Sequence, residues 1–326
     1  MESAELRPSL ACPLCQGWLD VRLHAYCCDP CGRRYPVLCG IPDLRLRPDP
    51  YLSMEEDRRK GLALFEGAAG RGFEEMLDLY WSLTPETPAR LARKFKEHAL
   101  ADAAIAEAAL AEMAAPPARG LLLDAGCSTG GLLIAAAPRF GGVAGVDAAF
   151  RWLVIASIRL RQAGVSAPLI CANAESLPFA DNTFAAVTAT DLVEHVADPA
   201  LVFSECRRVL EPGGQSYFST NNRYSLLPEP HAGVWGVGWL PRSVQAGWVR
   251  TTTGRSYRHI TLRSAQELAQ WARQAGWRDC RLDPAPLRAP GRAQWPQTAY
   301  NRMRRWPGFG ELLRRLGPRL QLSCRK

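Results

Sequence analysis

The fold is decided by residues 121–131, which read LLLDAGCSTGG. The three leucines predict a short buried strand, and the small residues after them predict a tight turn that leads into an apolar helix over 132–137. Gly126 and Gly130 allow the backbone to turn sharply and to approach a ligand without an intervening side chain. Because glycines also mark ordinary loops, this stretch predicts a ligand-binding turn only together with its surroundings.

Residues 143–147, VAGVD, predict a second buried strand that ends in an acid. In a doubly wound α/β fold, an acid at this place meets ribose hydroxyls. Three more stretches follow in order, 173–179 (NAESLPF), 191–196 (DLVEHV) and 208–214 (RVLEPGG). Together these motifs resemble the class I S-adenosylmethionine (SAM) dependent methyltransferases, in the methyltransferase type 11 or ubiquinone-type superfamily, over about residues 120–283.

The resemblance implies an α/β fold with a doubly wound, Rossmann-like sheet of seven strands in the order 3-2-1-4-5-7-6. The fifth strand is expected at 215–220 and the sixth at 277–283. Residues 319–326 alternate apolar and polar side chains, which suits the antiparallel seventh strand that closes the sheet of this family. Helices are expected over 89–115 and 264–275.

The resemblance also implies SAM as the cofactor. Asp124 would hold its amino group, Asp147 would bind its ribose, and the amide of Asn173 would pair with the edge of adenine. Ser128 stands where a central glycine is common in the family, and Asn173 stands where an aspartate is usual. The predicted cofactor contacts are Asp124, Gly126, Ser128, Gly130, Asp147, Ala148, Asn173, Ala174, Asp191 and Leu192.

The predicted chemistry needs alignment of the acceptor and, for a hydroxyl or amine, removal of a proton. The pair Glu194-His195 resembles the Glu-His pair of ubiquinone-type O-methyltransferases, so His195 is the first candidate base. A structural role for His195, capping the next helix, is left open.

An insertion at 221–260 leaves the fifth strand at the sheet edge where ligands bind. It is rich in Trp, Arg, His and Tyr, which is typical of a binding lid. His231 is the second candidate base, with Glu229 as its orienting partner, although packing explains some of the tryptophans. The predicted substrate contacts are Asn222, Arg223, Glu229 and Trp235.

The start of the chain carries two Cys-x-x-Cys turns, CPLC at 12–15 and CDPC at 28–31. Four thiolates at this spacing predict a tetrahedral Zn²⁺ site, because closed four-cysteine sites are typical of structural zinc. With residues 35–44 the module resembles a Trm112-like zinc ribbon, which stands alone as a partner of methyltransferases or is fused to one. The predicted metal ligands are Cys12, Cys15, Cys28 and Cys31.

The remaining cysteines bear on the redox environment. After Cys39 they are scattered singly, a pattern typical of buried free thiols, so the eleven cysteines predict no extracellular disulfide framework.

With 326 residues, of which 47% are hydrophobic, the chain is long enough for one full α/β domain and a smaller module. We expect a zinc ribbon at 1–46 and a helical linker or cap at 47–115. The methyltransferase domain is expected at 116–326, with insertions on the substrate face at about 221–260 and 284–318.

No run of 18 apolar residues occurs and no charged-then-apolar signal stands at the start, which predicts a cytoplasmic location. The net charge of +8 is carried almost wholly by arginine and by itself says little about nucleic acid. The Arg-rich helical stretch at 300–316 is open to three interpretations: a lid packed on the domain, a helix at an anionic membrane surface, or a phosphate-binding surface.

The leading functional hypothesis is a SAM-dependent methyltransferase that acts on a small molecule or glycan, most simply at oxygen. An rRNA or tRNA methyltransferase that uses the zinc ribbon and the Arg-rich helices is one alternative. Residues 191–194 read DLVE rather than the Asn/Asp-Pro-Pro-aromatic motif of many base methyltransferases, which argues against it. A non-catalytic SAM-binding adaptor is the other alternative. The acceptor, its reacting atom and the oligomeric state stay open.

Overall fold

The computed structural model describes residues 8–113, 120–287 and 294–326. The cysteine-rich start folds into a small antiparallel sheet whose four strands neighbour one another in chain order. These strands are β1 (Asp20–Arg22), β2 (Ala25–Cys27), β3 (Arg34–Leu38) and β4 (Ile41–Pro42). One Cys-x-x-Cys turn precedes β1 and the other connects β2 to β3, so the sheet brings the two turns together.

Three helices follow, α1 (Met54–Glu66), α2 (Phe73–Ser82) and α3 (Ala89–Leu110). Helix α1 begins with a capping box, in which Ser53 and Glu56 satisfy free backbone N–H groups of the first turn. Helix α3 starts at the predicted residue and ends five residues early. The last two residues of the predicted helix, and the expected start of the next domain at residue 116, lie outside the described ranges.

The central sheet has seven strands in the order β10-β11-β9-β8-β5-β6-β7. This is the predicted order read from the opposite edge, and β11 is antiparallel to both of its neighbours as predicted. Strand β9 starts before the predicted residue because Leu210 already pairs with Phe184. The strands are β5 (Leu121–Ala125), β6 (Gly142–Asp147), β7 (Leu169–Cys171), β8 (Phe184–Thr190), β9 (Leu210–Asn221), β10 (Arg278–Pro284) and β11 (Arg319–Arg325).

Helices cover both faces of the sheet, because the side chains of each strand alternate between two apolar layers. Leu122 of β5 packs with α1 to α5, whereas Leu121 and Leu123 pack in the layer that includes α6 and α8. Within the described ranges, no helix is both long and apolar enough to cross a membrane. The remaining helices are α4 (Gly131–Ala136), α5 (Phe150–Gln162), α6 (Pro199–Val209), α7 (Arg242–Thr253), α8 (Ala265–Gln274), α9 (Gln294–Met303) and α10 (Pro307–Leu316).

The cysteine module packs against the β7 edge of the central sheet. The backbone N–H of Leu44 donates to the carbonyl of Cys171 at 2.7 Å, and that of Ala11 donates to Pro178 at 3.0 Å. Cys12 and Tyr35 are buried in the same apolar cluster as the central strands. The module therefore shares a core with the sheet.

The prediction that the cysteines beyond Cys39 are free is wrong for two of them. Cys280 in β10 and Cys324 in β11 form a disulfide bond. The two strands are antiparallel neighbours, so residues 44 apart in sequence face each other with a Cα–Cα distance of 4.1 Å. Spacing along the chain does not reveal this pairing, because it depends on the register of the two strands.

Candidate functional site

A cavity of about 1970 Å³ opens at the carboxyl ends of the central parallel strands. Its wall includes Asp124 near the end of β5, Asp147 at the end of β6, Asn173 beyond β7 and Asp191 after β8. The strand ends thus bring together four residues that the sequence predicted from separate motifs. Ligands of open α/β sheets bind at this edge.

The glycine-bearing turn forms one side of this cavity. Gly126 has a φ of +83°, and a Cβ placed there would lie 3.1 Å from the side chain of Leu192. Ser128 also adopts the left-handed region, with a φ of +46°, which costs a non-glycine residue about 1–2 kcal/mol. Gly130 immediately precedes α4 and has a φ of +79°. It does not line the cavity, so its role is to let the backbone turn into the helix.

The backbone of this turn holds the acid at the end of β6. The N–H groups of Ser128 and Ala149 each donate to a different oxygen of Asp147 at 2.8 Å. Burial raises the pKa of Asp147 above its usual value, and these hydrogen bonds act in the opposite direction. Ala148, next in the chain, also lines the cavity.

Asp124 is almost fully buried and accepts a hydrogen bond of 2.8 Å from the hydroxyl of Thr188. Burial raises the pKa of Asp124 to about 7, and the charges of Asp147 and Asp102 add to this shift. A cationic amino group beside the carboxyl would favour its ionised form. Binding of a positively charged ligand would therefore lower the pKa of Asp124 and favour its ionised form.

The amide of Asn173 is engaged by the chain that follows the cysteine module. Its Oδ1 accepts hydrogen bonds of 3.0 Å from the backbone N–H groups of Leu46 and Arg47, and its Nδ2 donates to the carbonyl of Arg47. Asn173 and Ala174 both line the cavity. Contact between the Asn173 amide and adenine stays a prediction. Because the amide is already hydrogen-bonded, the backbone at 173–174 is the better placed group to contact adenine.

Asp191 has a φ of +52° and accepts a hydrogen bond of 2.7 Å from Arg319 at the start of β11. Burial lowers the pKa of Arg319, but the charge and hydrogen bond of Asp191 outweigh it, so the pKa is raised. The sequence missed Arg319, which reaches the site only because β11 pairs with β9. Its one signal was a basic residue at the start of the last strand.

Both candidate bases lie in the wall of this cavity and face each other. The ring centroids of His195 and His231 are 5.2 Å apart, at an interplanar angle of 85°. The hydroxyl of Tyr51 lies 2.9 Å from Nδ1 of His195, and Oε1 of Glu229 lies 2.5 Å from Nδ1 of His231. Each histidine thus has its own partner.

The two histidines have opposite protonation tendencies. Burial lowers the pKa of His195 below its usual value of 6.5. Burial also acts to lower the pKa of His231, but the hydrogen bond and charge of Glu229 outweigh it and raise that pKa. The arrangement thus favours the neutral imidazole at His195, whereas Glu229 favours the protonated form of His231.

Tyr51 is a site residue that the sequence gave no motif for. It belongs to the linker after the cysteine module, where Asp49 accepts a hydrogen bond of 2.9 Å from its backbone N–H. Burial raises the pKa of its hydroxyl to about 12, and its ring lies 5.3 Å from that of His259. Only the path of the folded chain brings it to His195.

Several predicted residues hold the insertion in place. Glu194 is buried, and its carboxylate accepts hydrogen bonds from Thr220 at 2.9 Å and Asn221 at 3.1 Å. The side chain of Asn222 donates to the carbonyls that end α10, and that of Arg223 donates to the carbonyl of Gly238.

Trp235, another predicted substrate contact, is not part of the cavity wall. It is 62% exposed, and its Nε1 donates to the carbonyl of Leu226.

Aromatic side chains of the N-terminal helices form an apolar part of the wall. The ring of Tyr80 lies 4.2 Å from that of Trp152 in α5, and Trp81 stacks on Phe95 at 6.0 Å. Such a wall excludes water and strengthens electrostatic interactions inside the cavity.

The four predicted metal ligands lie together at the two turns of the cysteine module. Their Sγ atoms are all within 4.8 Å of one another, with 3.6 Å between Cys12 and Cys31 and 3.4 Å between Cys15 and Cys28. A tetrahedral zinc with Zn–S bonds of about 2.3 Å needs sulfur atoms roughly 3.8 Å apart. The hydroxyl of Tyr35 lies 3.2 Å from Sγ of Cys12. The donor set and its spacing fit zinc.

Comparison with known proteins shows that the central part of the chain is similar to methyltransferases. Residues 123–218 match the family model described as a methyltransferase domain. The ubiquinone biosynthesis O-methyltransferase of Cereibacter sphaeroides is 39% identical over 136 residues, which cover 40% of this chain and 55% of that protein. The enzyme of the same name from Pseudomonas fluorescens is 32% identical over 157 residues, covering 48% and 63%. The chain thus spans little more than half the length of these curated relatives.

A solved structure shows the same fold at low sequence identity. It is phosphoethanolamine N-methyltransferase 2 of Haemonchus contortus in complex with SAM, with a TM-score of 0.50 and 17% identity. The match covers 79% of this chain and 60% of that one. The likeness concerns the fold alone.

Proposed function

We infer that this chain, which contains a SAM-dependent methyltransferase domain, transfers a methyl group to a hydroxyl of a small-molecule or glycan acceptor. The observation that carries the proposal is the pair His195 and His231, which lines the same cavity as the glycine-bearing turn. An imidazole that stays neutral, beside one that a carboxylate biases toward protonation, suits deprotonation of a hydroxyl and stabilisation of the resulting negative charge. The relatives named O-methyltransferases support oxygen as the acceptor atom.

The residues of the cavity fit SAM, which when bound supplies a methyl group already activated on a sulfonium. Asp124 would pair with its amino group, and the N–H groups of the turn at 126–131 would face its carboxylate. Asp147 would accept hydrogen bonds from the ribose. Leu192 and the backbone at 173–174 would border the adenine.

We assign His195 as the base that takes the proton from the acceptor hydroxyl. Its lowered pKa keeps it neutral and able to accept a proton at neutral pH. Tyr51 fixes the orientation of its ring through Nδ1. His231, held as an imidazolium by Glu229, stabilises the oxyanion. Glu194 acts as a positioning residue, since its carboxylate is bound by β9.

We assign structural zinc to the four cysteines of the N-terminal module, as in the zinc ribbon that the sequence resembles. A closed four-thiolate site leaves no coordination position for a substrate. Its part in the proposed function is to hold the linker that delivers Tyr51.

The proposal is tested by two measurements on the purified chain. Calorimetry with SAM and with its demethylated product is expected to show binding that Asp147→Ala abolishes. Transfer of a labelled methyl group from SAM to the small-molecule fraction of a cell extract is expected to stop in His195→Asn, while SAM binding is retained. The matched control is His24→Asn, which changes an exposed histidine of the cysteine module.

Three results would count against the proposal. A chain that binds neither form of the cofactor has no SAM site. Full SAM binding without methyl transfer to any fraction would favour the non-catalytic adaptor. Incorporation of label into RNA rather than small molecules would favour the RNA methyltransferase.

A further inference from the structure

The insertion that follows β9 exposes an unusual number of large apolar side chains. We call residues 222–260 the lid. Seven large apolar side chains between 224 and 248 are more than one third exposed, and they make up a third of all such side chains in the part of the chain that the structure describes. These seven are Tyr224, Leu226, Leu227, Trp235, Trp239, Val244 and Trp248. Exposed apolar groups concentrated in this way mark an interaction surface.

Exposed side chains in the first part of the lid contact one another next to α10. The indole N–H of Trp235 donates to the carbonyl of Leu226 at 2.9 Å. The ring centroids of Trp239 and Tyr224 are 5.4 Å apart. The backbone N–H of Leu226 donates to Leu316 at the end of α10, which fixes the lid on the domain. These apolar side chains therefore lie together on a backbone that is hydrogen-bonded to α10.

The lid is also strongly basic. Residues 222–260 contain five arginines and a single acid, Glu229, which is buried and bound to His231. Within the described residues Arg250, Arg255 and Arg258 form no ion pair, whereas Arg242 pairs with Glu267. Arg250 and Arg258 are exposed, and Arg255 and Arg258 also line the cavity. The lid thus carries exposed apolar side chains, unpaired positive charge and no exposed carboxylate of its own.

The same segment borders the cavity that holds the two histidines. Leu227, Pro228 and residues 236–238 are part of the cavity wall, and His231 itself belongs to the lid. A surface that covers the exposed side chains would therefore meet the entrance of the cavity.

We propose that the lid docks on the surface of a membrane that contains anionic lipid. Trp and Tyr side chains favour the membrane interface, and exposed apolar groups beside arginines are the features of elements that lie in it. RNA fits this surface less well, because the aliphatic Leu226, Leu227 and Val244 offer no ring for a base to stack on. Membrane docking does not depend on methyl transfer, so a vesicle-binding experiment can fail while the proposed methyltransferase activity stands, and the reverse.

The lid suits this role better than the Arg-rich stretch at 300–316, to which the sequence analysis had assigned possible membrane contact. Arg304 and Arg305 of that stretch pair with Glu112. Arg314 and Arg315 pair with Glu311 of the same helix. Two carboxylates thus offset about half of the charge of these four arginines, whereas Arg250, Arg255 and Arg258 of the lid have no such partner among the described residues.

The test is flotation of the full chain with vesicles of phosphatidylcholine alone and of equimolar phosphatidylcholine and phosphatidylglycerol. We expect binding to the mixed vesicles, with weakening by salt. Leu226→Glu is expected to abolish it, and Arg250→Gln to weaken it about five-fold, because a basic residue at an anionic surface contributes about 1 kcal/mol. The matched control is Leu23→Glu, which adds the same charge at an exposed leucine of the cysteine module.

Thermal melting and SAM binding, measured on each variant, separate a lost surface from a lost fold. Three outcomes overturn the proposal: no binding of the unaltered chain to the mixed vesicles, equal loss in Leu226→Glu and Leu23→Glu, or displacement from the vesicles by short RNA at equal phosphate concentration.

Discussion

At the scale of single residues, the two histidines of the cavity show that the same residue type acquires opposite pKa shifts in different surroundings. His195 came from a motif, and His231 came from a loop rich in polar and aromatic groups. Their opposite pKa shifts arise from burial at one and from Glu229 at the other. The sequence already suggested Glu229 as the partner of His231, but it could not show the partner of His195, since Tyr51 lies 144 positions away.

The pH dependence of methyl transfer tests this division of roles. The rate is expected to rise with pH through a value below 6.5 as His195 loses its proton, and to fall through a value above 6.5 as His231 loses its own. Glu229→Gln removes the charge that raises the pKa of His231. The falling limb of the pH–rate profile is therefore expected to move to lower pH.

Glu175→Gln is the matched control, because Glu175 also lines the cavity but pairs with Arg47. Its profile should keep both limbs of the unaltered chain. A falling limb that stays in place in Glu229→Gln would show that His231 does not act as the imidazolium.

The cofactor residues show where motif reading succeeds and where it stops. Asp124, Asp147 and Asp191 reach one cavity because each lies near or just after the carboxyl end of a parallel strand, an arrangement that the family resemblance implied. Asn173 differs, since its amide is bound by Leu46 and Arg47. No local pattern shows that a distant segment will occupy a side chain, so this contact had to come from the structure.

For helices and strands, the sequence predicted the central sheet well because its strands are short apolar runs separated by turn residues. The order of the strands came from the family resemblance. Helix α7 was missed, because its residues 242–253 carry three threonines at the end and lie in an insertion with no motif. The disulfide between Cys280 and Cys324 was missed because it depends on strand register.

The cysteine module is predicted to bind zinc and, through it, to stabilise the whole chain. Metal analysis is expected to find one zinc per chain, and the double change Cys12→Ser/Cys28→Ser should remove it. Cys12 and Cys28 are buried in the cluster that also contains central strands. Loss of the metal should therefore lower the thermal melting temperature of the whole chain, since binding energy at a structural zinc site is folding energy.

Cys39→Ser is the control, because Cys39 is a free thiol outside the cluster of four. It should retain the metal and the melting temperature. A chain purified without zinc that melts at the same temperature as one supplied with zinc would refute the assignment.

Across the whole molecule, a buried ionic network joins the end of the cysteine module and α1 to the cofactor side of the sheet. Arg45 contacts Asp43 at 2.7 Å and Asp57 at 2.6 Å, and all three side chains are inaccessible to solvent. Arg151 at the start of α5 contacts Asp57 and Asp49. Because Asp49 also binds the backbone of Tyr51, the network extends to the histidine pair.

The network also completes α5, whose N-cap residue Ala149 has no side chain to cap the helix. Asp57 of α1 accepts a hydrogen bond of 2.8 Å from the N–H of Phe150 and so acts as the cap from another element. Arg45 donates to the carbonyl of Ala148 at 2.9 Å. Arg45 and Asp57 thus fix the residues directly after Asp147.

This arrangement predicts that Arg45→Met destabilises the chain and weakens cofactor binding together. Removing the cation leaves Asp43 and Asp57 buried beside less positive charge, and breaking a buried ion pair costs about 3–5 kcal/mol. The free energy of unfolding, measured with urea, should fall by that amount at neutral pH. Affinity for SAM should fall as well, because Ala148 loses its partner.

Arg59→Met provides the control, since Arg59 lies exposed on α1, and changes at such surface positions stay within about 0.5 kcal/mol. The pH dependence gives an independent check. Burial raises the pKa of Asp43, but Arg45 and Arg58 outweigh it and hold that pKa below 3.8. Its stabilisation is therefore present above that value and lost as the pH falls through the lowered pKa. Arg45→Met should lose part of this acid-dependent stability. A variant as stable as the unaltered chain at every pH would show that the network adds no net stability.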